Sequence, residues 1–291
     1  MKLEAARRDD VLALMRETYG DGALTAAEFE WWFERNPVPP RLVSLARGDD
    51  GTPLGTLAMS PVRADACLAA CSVHGVTTPA ARGRGVFTAL ERRNEAAAAA
   101  AGVAWSFAFT NDRTGPLFLG PLEWQAIAGL RLWARLRRPR RTGRGGFRVE
   151  PSCPPFGERH RVAFAARHVV RAPEYLTWRY SESPRVYHRV ERGDGWGVVR
   201  HALWHGFSVA VVCEAVGPGL ARVLRACVAA LDSDIALALV NPGETRAYLA
   251  AGFLPTPRSI PFVAKRLRED APPLPSGRGA WRFTLGDMDW F

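Results

Sequence analysis

Val11, Leu12, Leu14 and Met15 recur at helical spacing and predict an amphipathic helix over residues 9–19. Thr25-Ala26-Ala27-Glu28 has the form of a capping box, in which the hydroxyl and the carboxylate each satisfy an amide of the first turn. Phe29, Trp32 and Phe33 give the helix that follows its apolar face, and Pro37 ends it. The period then shortens. Residues 41–47, 53–62 and 67–76 read as an antiparallel meander, with Gly48-Asp49-Asp50-Gly51 as its first turn. A second helical run extends through an alanine tract to about Ala101 and is closed by Gly102. Residues 103–110 predict a strand, and residues 112–122 a poor helix broken by Gly115, Pro116 and Pro121. A strand pair is expected around residues 124–136.

Between the third strand and the long helix stands Val76-Thr77-Thr78-Pro79-Ala80-Ala81-Arg82-Gly83-Arg84-Gly85-Val86-Phe87. Gly83 and Gly85 lack Cβ, so the chain can turn tightly there and a ligand can lie against the backbone. The first amides of the helix lack internal partners and sit at the positive end of its dipole. With Arg82 and Arg84 beside them, they form a cradle suited to a phosphate or pyrophosphate. Phe87 also fits, with Leu90, a core stripe on that helix.

The 291 residues are enough for two domains, and 47% hydrophobic and 23% charged residues describe an ordinary globular chain. No apolar run is long enough to cross a membrane and the first ten residues lack a signal-peptide pattern, so a cytoplasmic location is expected. Five scattered cysteines argue for reduced thiols; Cys67 and Cys71 read as apolar filler, and neither they nor His201 and His205 have the partners of a metal site. The net charge of +10 is concentrated in residues 131–148, whose Pro139, Gly143, Gly145 and Gly146 mark a solvated loop between domains. Nothing there has the motif or stacking pattern of a nucleic-acid binder.

The second half echoes the first. Glu28-Phe29-Glu30-Trp31-Trp32 through Pro37 reappears as Glu174-Tyr175-Leu176-Thr177-Trp178 through Pro184, and Arg47-Gly48-Asp49 as Arg192-Gly193-Asp194. Asn111 and Trp124 align with Asn241 and Phe253. The cradle is not repeated: Gly217-Pro218-Gly219 has no arginine before it, and Pro218 removes an amide donor. The expected division is 1–138, a basic linker at 139–160, and 161–291. Residues 281–291 read as a last strand and a solvated tail.

The element order and the cradle resemble the GNAT superfamily of acyl-CoA N-acyltransferases. Its signature, Arg or Gln, two residues, Gly, one residue, Gly or Ala, is met by Arg82 and Gly85, while Phe87 replaces the small residue. The resemblance, including Thr77-Thr78-Pro79, spans about residues 3–136; the whole chain resembles tandem GNAT proteins such as the mycothiol synthases and the enhanced-intracellular-survival acetyltransferases, with a degenerate second half. It implies an α/β (α+β) fold of two GNAT-like domains, each a mixed, mostly antiparallel sheet flanked by helices. It also implies acetyl-CoA as acyl donor, a small-molecule primary amine as acceptor, no metal, and a monomer or homodimer. The cofactor site it implies comprises Val76, Thr77, Thr78, Arg82, Gly83, Arg84, Gly85, Val86, Phe87 and Asn111. A backbone NH near Val76 would polarise the thioester. The family's thiolate-protonating tyrosine is replaced by Leu119. His74, two residues before Val76 on an expected common face, is a candidate base; Asp287 and Asp289 are others, more simply read as tail charges. A non-catalytic CoA-binding or interaction protein is the competing expectation.

Overall fold

The computed structural model describes residues 1–65, 67–136, 148–149, 152–204 and 206–288. The elements are β1 (Lys2–Ala5), α1 (Arg8–Tyr19), α2 (Ala26–Phe29) continued by a π-turn (Glu30–Glu34), β2 (Leu42–Arg47), β3 (Pro53–Arg63), β4 (Leu68–Thr77), α3 (Val86–Ala100), β5 (Trp105–Phe109), α4 (Gly115–Leu119) and β6 (Gln125–Leu136). The second half gives β7 (Arg148–Val149), α5 (Pro173–Leu176) with its own π-turn (Thr177–Ser181), β8 (His188–Arg192), β9 (Gly195–Trp204), β10 (Phe207–Val216), α6 (Leu220–Ala230), β11 (Ile235–Leu239), α7 (Thr245–Ala250) and β12 (Leu254–Arg266).

The capping box at Thr25 forms as read: Glu28 N donates to Thr25 Oγ1 at 3.2 Å, and Thr25 N to Glu28 Oε2 at 3.0 Å. The sequence echo is reproduced down to a local irregularity, since α2 and α5 both widen into a π-turn that buries two or more aromatic rings. Two elements differ from expectation. The charged start is a strand, β1, paired antiparallel with β2 through Lys2↔Arg47 to Ala5↔Ser44. Residues 125–136 form one long strand rather than a pair.

The chain divides into two compact units, Met1–Ala128 with Pro261–Ser276, and Gly129–Ile260 with Gly277–Phe291. This replaces the contiguous division at 138, and the reason is strand exchange. In the first unit β1, β2, β3 and β4 pair antiparallel in turn, β4 pairs parallel with β5, and β5 is completed by β12, through Phe109↔Phe262 to Trp105↔Arg266. In the second unit β7, β8, β9 and β10 follow one another antiparallel, β10 pairs parallel with β11, and β11 is completed by β6, through Ile235↔Leu136 to Leu239↔Leu132. Each half thus lends its last strand to the other half's sheet. Each sheet is mixed and mostly antiparallel, with helices against it. Half of the expected linker, at 139–147 and 150–151, lies outside the described residues, and the rest carries the buried Cys153, Phe156 and His160; Arg131 and Arg135 belong to β6, where Arg135 Nη1 donates to Ala251 O at 2.7 Å.

The core of the first unit forms where α3 meets the sheet, through Ala46, Leu54, Leu57, Ala81, Val86 and Leu90. Asn94, buried on α3, accepts from Ser44 Oγ at 2.6 Å and donates to Leu57 O at 3.0 Å, pinning the helix over β2 and β3. In the second unit α6 packs Val223, Leu224 and Cys227 against β8, β9 and β10. Each fully buried Val or Leu there stabilises the fold by about 1.5–3 kcal/mol.

Candidate functional site

The site is built where β4 ends. A β-bulge interrupts its pairing with β3: Thr56 faces Val76 and Ala58 faces Val73, so His74 and Gly75 together stand opposite Leu57. His74 takes the left-handed φ of +50°, uncommon for a side chain of its size. On its other edge β4 is parallel to β5 only from Ala69↔Trp105 to Cys71↔Phe107. Beyond that register the two strands part, and six residues of β4, Ser72 to Thr77, run on toward the turn. An open strand edge of this kind offers backbone donors and acceptors to an extended ligand.

The turn leads from Thr78, whose amide donates to Leu54 O at 2.9 Å, through one 3₁₀ turn to Arg82, Gly83, Arg84 and Gly85, all exposed. Gly83 and Gly85 have φ of +74° and +73°, where a Cβ is disfavoured. Gly55 on β3 allows the close approach of strand end and helix start: a Cβ there would meet Val76 O at 2.8 Å. The first intrahelical bond of α3 runs from Ala89 N to Gly85 O at 3.0 Å, so the amides of Val86, Phe87 and Thr88 have no partner within the helix. The structure therefore brings Val76, Thr77, Thr78, Arg82, Gly83, Arg84, Gly85, Val86 and Phe87 into one continuous strand, turn and helix start.

Asn111 follows the end of β5, but its side-chain oxygen is engaged locally, accepting from Arg113 N at 2.9 Å and Thr114 N at 3.1 Å. Its amide nitrogen is the group left for a ligand. The Phe87 ring turns inward from the helix start. It packs edge-on against Phe118 of α4 at 5.5 Å, and its Cε2 lies 3.0 Å from where a Cβ on Gly75 would be. Leu119 is half exposed, without a hydroxyl to offer. Glu123 adopts the glycine-like φ of +59°.

His74 stands in the bulge itself. The bulge breaks the two-residue alternation, and its ring packs edge-on against Trp32 at 5.5 Å and Phe33 at 5.8 Å, on the side of the first π-turn. Asp287 is not a solvated charge: it is 1% exposed in its side chain and 2.8 Å from Arg171 Nη2. Asp289 lies outside the described residues.

Two groups near the bulge were not singled out from the sequence. Tyr19, at the end of α1, directs its hydroxyl to Gly75 O at 3.5 Å. Glu91, one helical turn past Phe87, is fully buried and accepts from Ser72 Oγ of β4 at 2.8 Å; its Oε1 has no hydrogen-bond partner. Burial, and next to it the nearby Glu95 charge, push its carboxyl up to about 8 against the opposing pull of Ser72 and Lys265. Its signal was present in the sequence, because Glu91, Asn94 and Glu95 occupy positions on the core-facing side of an otherwise apolar helix.

Among the described residues no His, Cys, Asp and Glu cluster could hold a metal ion, and no helix is long and apolar enough to cross a membrane.

The fold is that of GCN5-related N-acetyltransferases of known structure. The chain superposes on Eis1 from Mycobacterium abscessus with a TM-score of 0.61 at 15% identity, covering 92% of this chain and 74% of that one. It matches a GCN5-related N-acetyltransferase from Anabaena variabilis with a TM-score of 0.60 at 10% identity, over 92% and 73% of the two chains. One from Kribbella flavida gives 0.58 at 15% identity, over 91% and 72%. At these identities the likeness is one of fold. No protein-family model and no curated protein matches the sequence.

Proposed function

We propose that this chain is an acetyl-CoA-dependent N-acetyltransferase that acylates a primary amine of a small molecule, with the acyl donor held by the first unit alone. The observation that carries the reading is the parting of β4 from β5 directly before an arginine-flanked helix start. The pyrophosphate would accept from the amides of Gly83, Gly85, Val86 and Phe87, between Arg82 and Arg84. The pantetheine arm would pair with β4 along Val76, Thr77 and Thr78, within reach of the Asn111 amide.

The amine nitrogen attacks the thioester carbon, the C–S bond breaks, and the proton lost by nitrogen ends on the thiolate or in solvent. A backbone amide of the bulge near Val76 would stabilise the tetrahedral oxyanion. Positioning supplies much of the remaining acceleration. His74 and Tyr19 are the titratable groups nearest the bulge, and His74 is the candidate base.

Calorimetry with acetyl-CoA tests the first step. The double variant Arg82→Ala with Gly85→Glu loses one charge-assisted phosphate contact, worth about 1.5–3 kcal/mol. It also puts a carboxylate at the positive helix end, costing about 0.3–1 kcal/mol more. Affinity is expected to fall about 20-fold or more, at roughly 1.4 kcal/mol per factor of ten. Unchanged affinity refutes the assigned cradle, and no binding of the unaltered protein at millimolar ligand refutes the reading.

A second reading is favoured by Leu119, which has no hydroxyl, and by the Phe87 ring packed against Phe118 close to Gly75: a CoA-binding protein without catalysis. Thiol release over a panel of amines separates the two, since the enzyme must release CoA above background with at least one acceptor.

A further inference from the structure

In the second unit the corresponding strands part in the same way. β10 is parallel to β11 from Val209↔Ile235 to Val211↔Leu237, then continues alone to Val216, and a register shift at Cys213 repeats the bulge of β4. The following helix starts at Gly219, whose φ of +70° matches that of Gly85. Yet Pro218 lacks an amide hydrogen, and the Arg222 guanidinium lies 3.2 Å from the Cβ position of Gly219, over the helix start.

The space past the point of parting is taken by residues 278–288. Arg278 Nη2 donates to Val240 O at 2.9 Å and to Asn241 Oδ1 at 3.1 Å, and Phe283 N donates to the same Asn241 oxygen at 3.1 Å. Asn241, at the end of β11, thus spends its side chain on this segment. Gly286 then lies on the bulge of β10: a Cβ there would meet Cys213 O at 2.9 Å, Glu214 Oε1 at 3.1 Å and the Tyr180 hydroxyl. Arg179 closes over the segment, donating from Nε to Gly286 O at 2.9 Å and from Nη2 to Met288 O at 2.8 Å. Trp281, Phe283, Leu285 and Met288 are each at most 4% exposed.

We infer that residues 278–288 are a resident peptide ligand, filling in the second unit the groove that the acyl donor takes in the first, so that the chain binds one acyl-CoA. The inference rests on the cofactor reading above for its stoichiometry, but the peptide groove stands on contacts within the second unit. Like an extended pantetheine arm, the peptide lies against the bulge of its strand at Gly286 and bonds through its backbone to a strand-end asparagine. It has replaced a ligand for which this unit no longer has a cradle.

Hydrogen exchange on the full chain tests the groove. Gly286→Val puts a methyl group against the Cys213 carbonyl, which cannot turn aside, so the segment must lift. Exchange is expected to rise about tenfold or more in residues 281–288 and in the ends of β10 and β11, with α6 and β9 unchanged. Unchanged protection at those strand ends, or a uniform rise across the unit, overturns the inference. A chain ending at Ala280, mixed with a synthetic peptide of residues 281–291, should regain protection at the same strand ends, and a scrambled peptide should not restore it. Equal rescue by both overturns the inference; if the shortened chain is insoluble, Gly286→Val decides. Calorimetry on the unaltered protein should give one acetyl-CoA per chain. Two overturns the resident-ligand inference, whereas none counts against the cofactor reading and leaves exchange to decide the groove.

Discussion

Arg171→Met is expected to destabilise the second unit by roughly 3–5 kcal/mol, the usual cost of removing one partner from a buried ion pair. Arg171 is 1% exposed; its Nε donates to Glu214 Oε1 at 2.8 Å and its Nη2 to Asp287 Oδ2 at 2.8 Å. Burial opposes the charge on its guanidinium, but Asp287 and Glu214 outweigh that and hold it firmly protonated. Glu214 also accepts from the Tyr180 hydroxyl at 2.8 Å and from Thr284 Oγ1 at 3.2 Å, and burial first, with Asp287 adding to it, raises its carboxyl. With the guanidinium gone, two carboxyls remain in an apolar interior and must take up protons to stay there. A carboxyl whose folded pKa lies above its unfolded one destabilises the fold increasingly as pH rises between the two. The variant should therefore lose more stability at pH 8 than at pH 5. Hydrogen exchange reads this directly: β10 should lose protection while β4 keeps it. A loss below about 1 kcal/mol at pH 8 would mean that packing, not the ion pair, holds residues 284–288 down.

That network also shows what the sequence conceals. Thr25 through Glu28 and Arg82 through Val86 were legible because capping and anion cradling are fixed by residues within one turn of each other. The repeat was legible because similar side chains recur in the same order. Asp287 was misread as a tail charge because the arginine that neutralises it is 116 residues away, and nothing local announces it. The bulge at His74 and Gly75 is equally hidden, because it depends on how β3 is registered against β4. The exchange of β6 and β12 was hidden for a similar reason. Either strand could satisfy either sheet edge by its own pattern, and only the pairing decides. The fold class needed no such long-range information, since the order of helices, strands and glycine turn already specifies it.

The two units therefore share a framework and differ in what completes it. In the first, the parted strands lead to an exposed glycine turn flanked by two arginines at a helix start. In the second, the same parting is closed by the chain itself, with Asn241 and the bulge both engaged by residues 278–288.

Glu91→Gln is expected to change the first unit's stability in opposite directions at the two ends of the pH range. Ser72 of β4, Glu95 of α3 and Lys265 of β12 are the polar groups acting on the Glu91 carboxyl. In the unfolded chain it ionises near 4.5; in the folded chain burial holds it neutral up to about 8. Between those values the folded state binds more protons, so wild-type stability falls as pH rises and levels off once both states are ionised. At about 1.4 kcal/mol per pKa unit, the penalty above pH 8 has an upper bound of about 5 kcal/mol. Glutamine carries no such penalty, but it leaves an amide hydrogen pair where Glu91 Oε1 has no partner, costing about 1–3 kcal/mol at every pH. The variant should accordingly melt below the wild type at pH 5 and above it at pH 9, with the two melting curves crossing in between. A melting difference that does not vary with pH would exclude Glu91 as the titrating group. Because its hydrogen-bond partner Ser72 is the first residue of β4 past the pairing with β5, the ionisation should also loosen that strand, and exchange in residues 72–77 of the wild type should quicken above pH 8 more than in the variant.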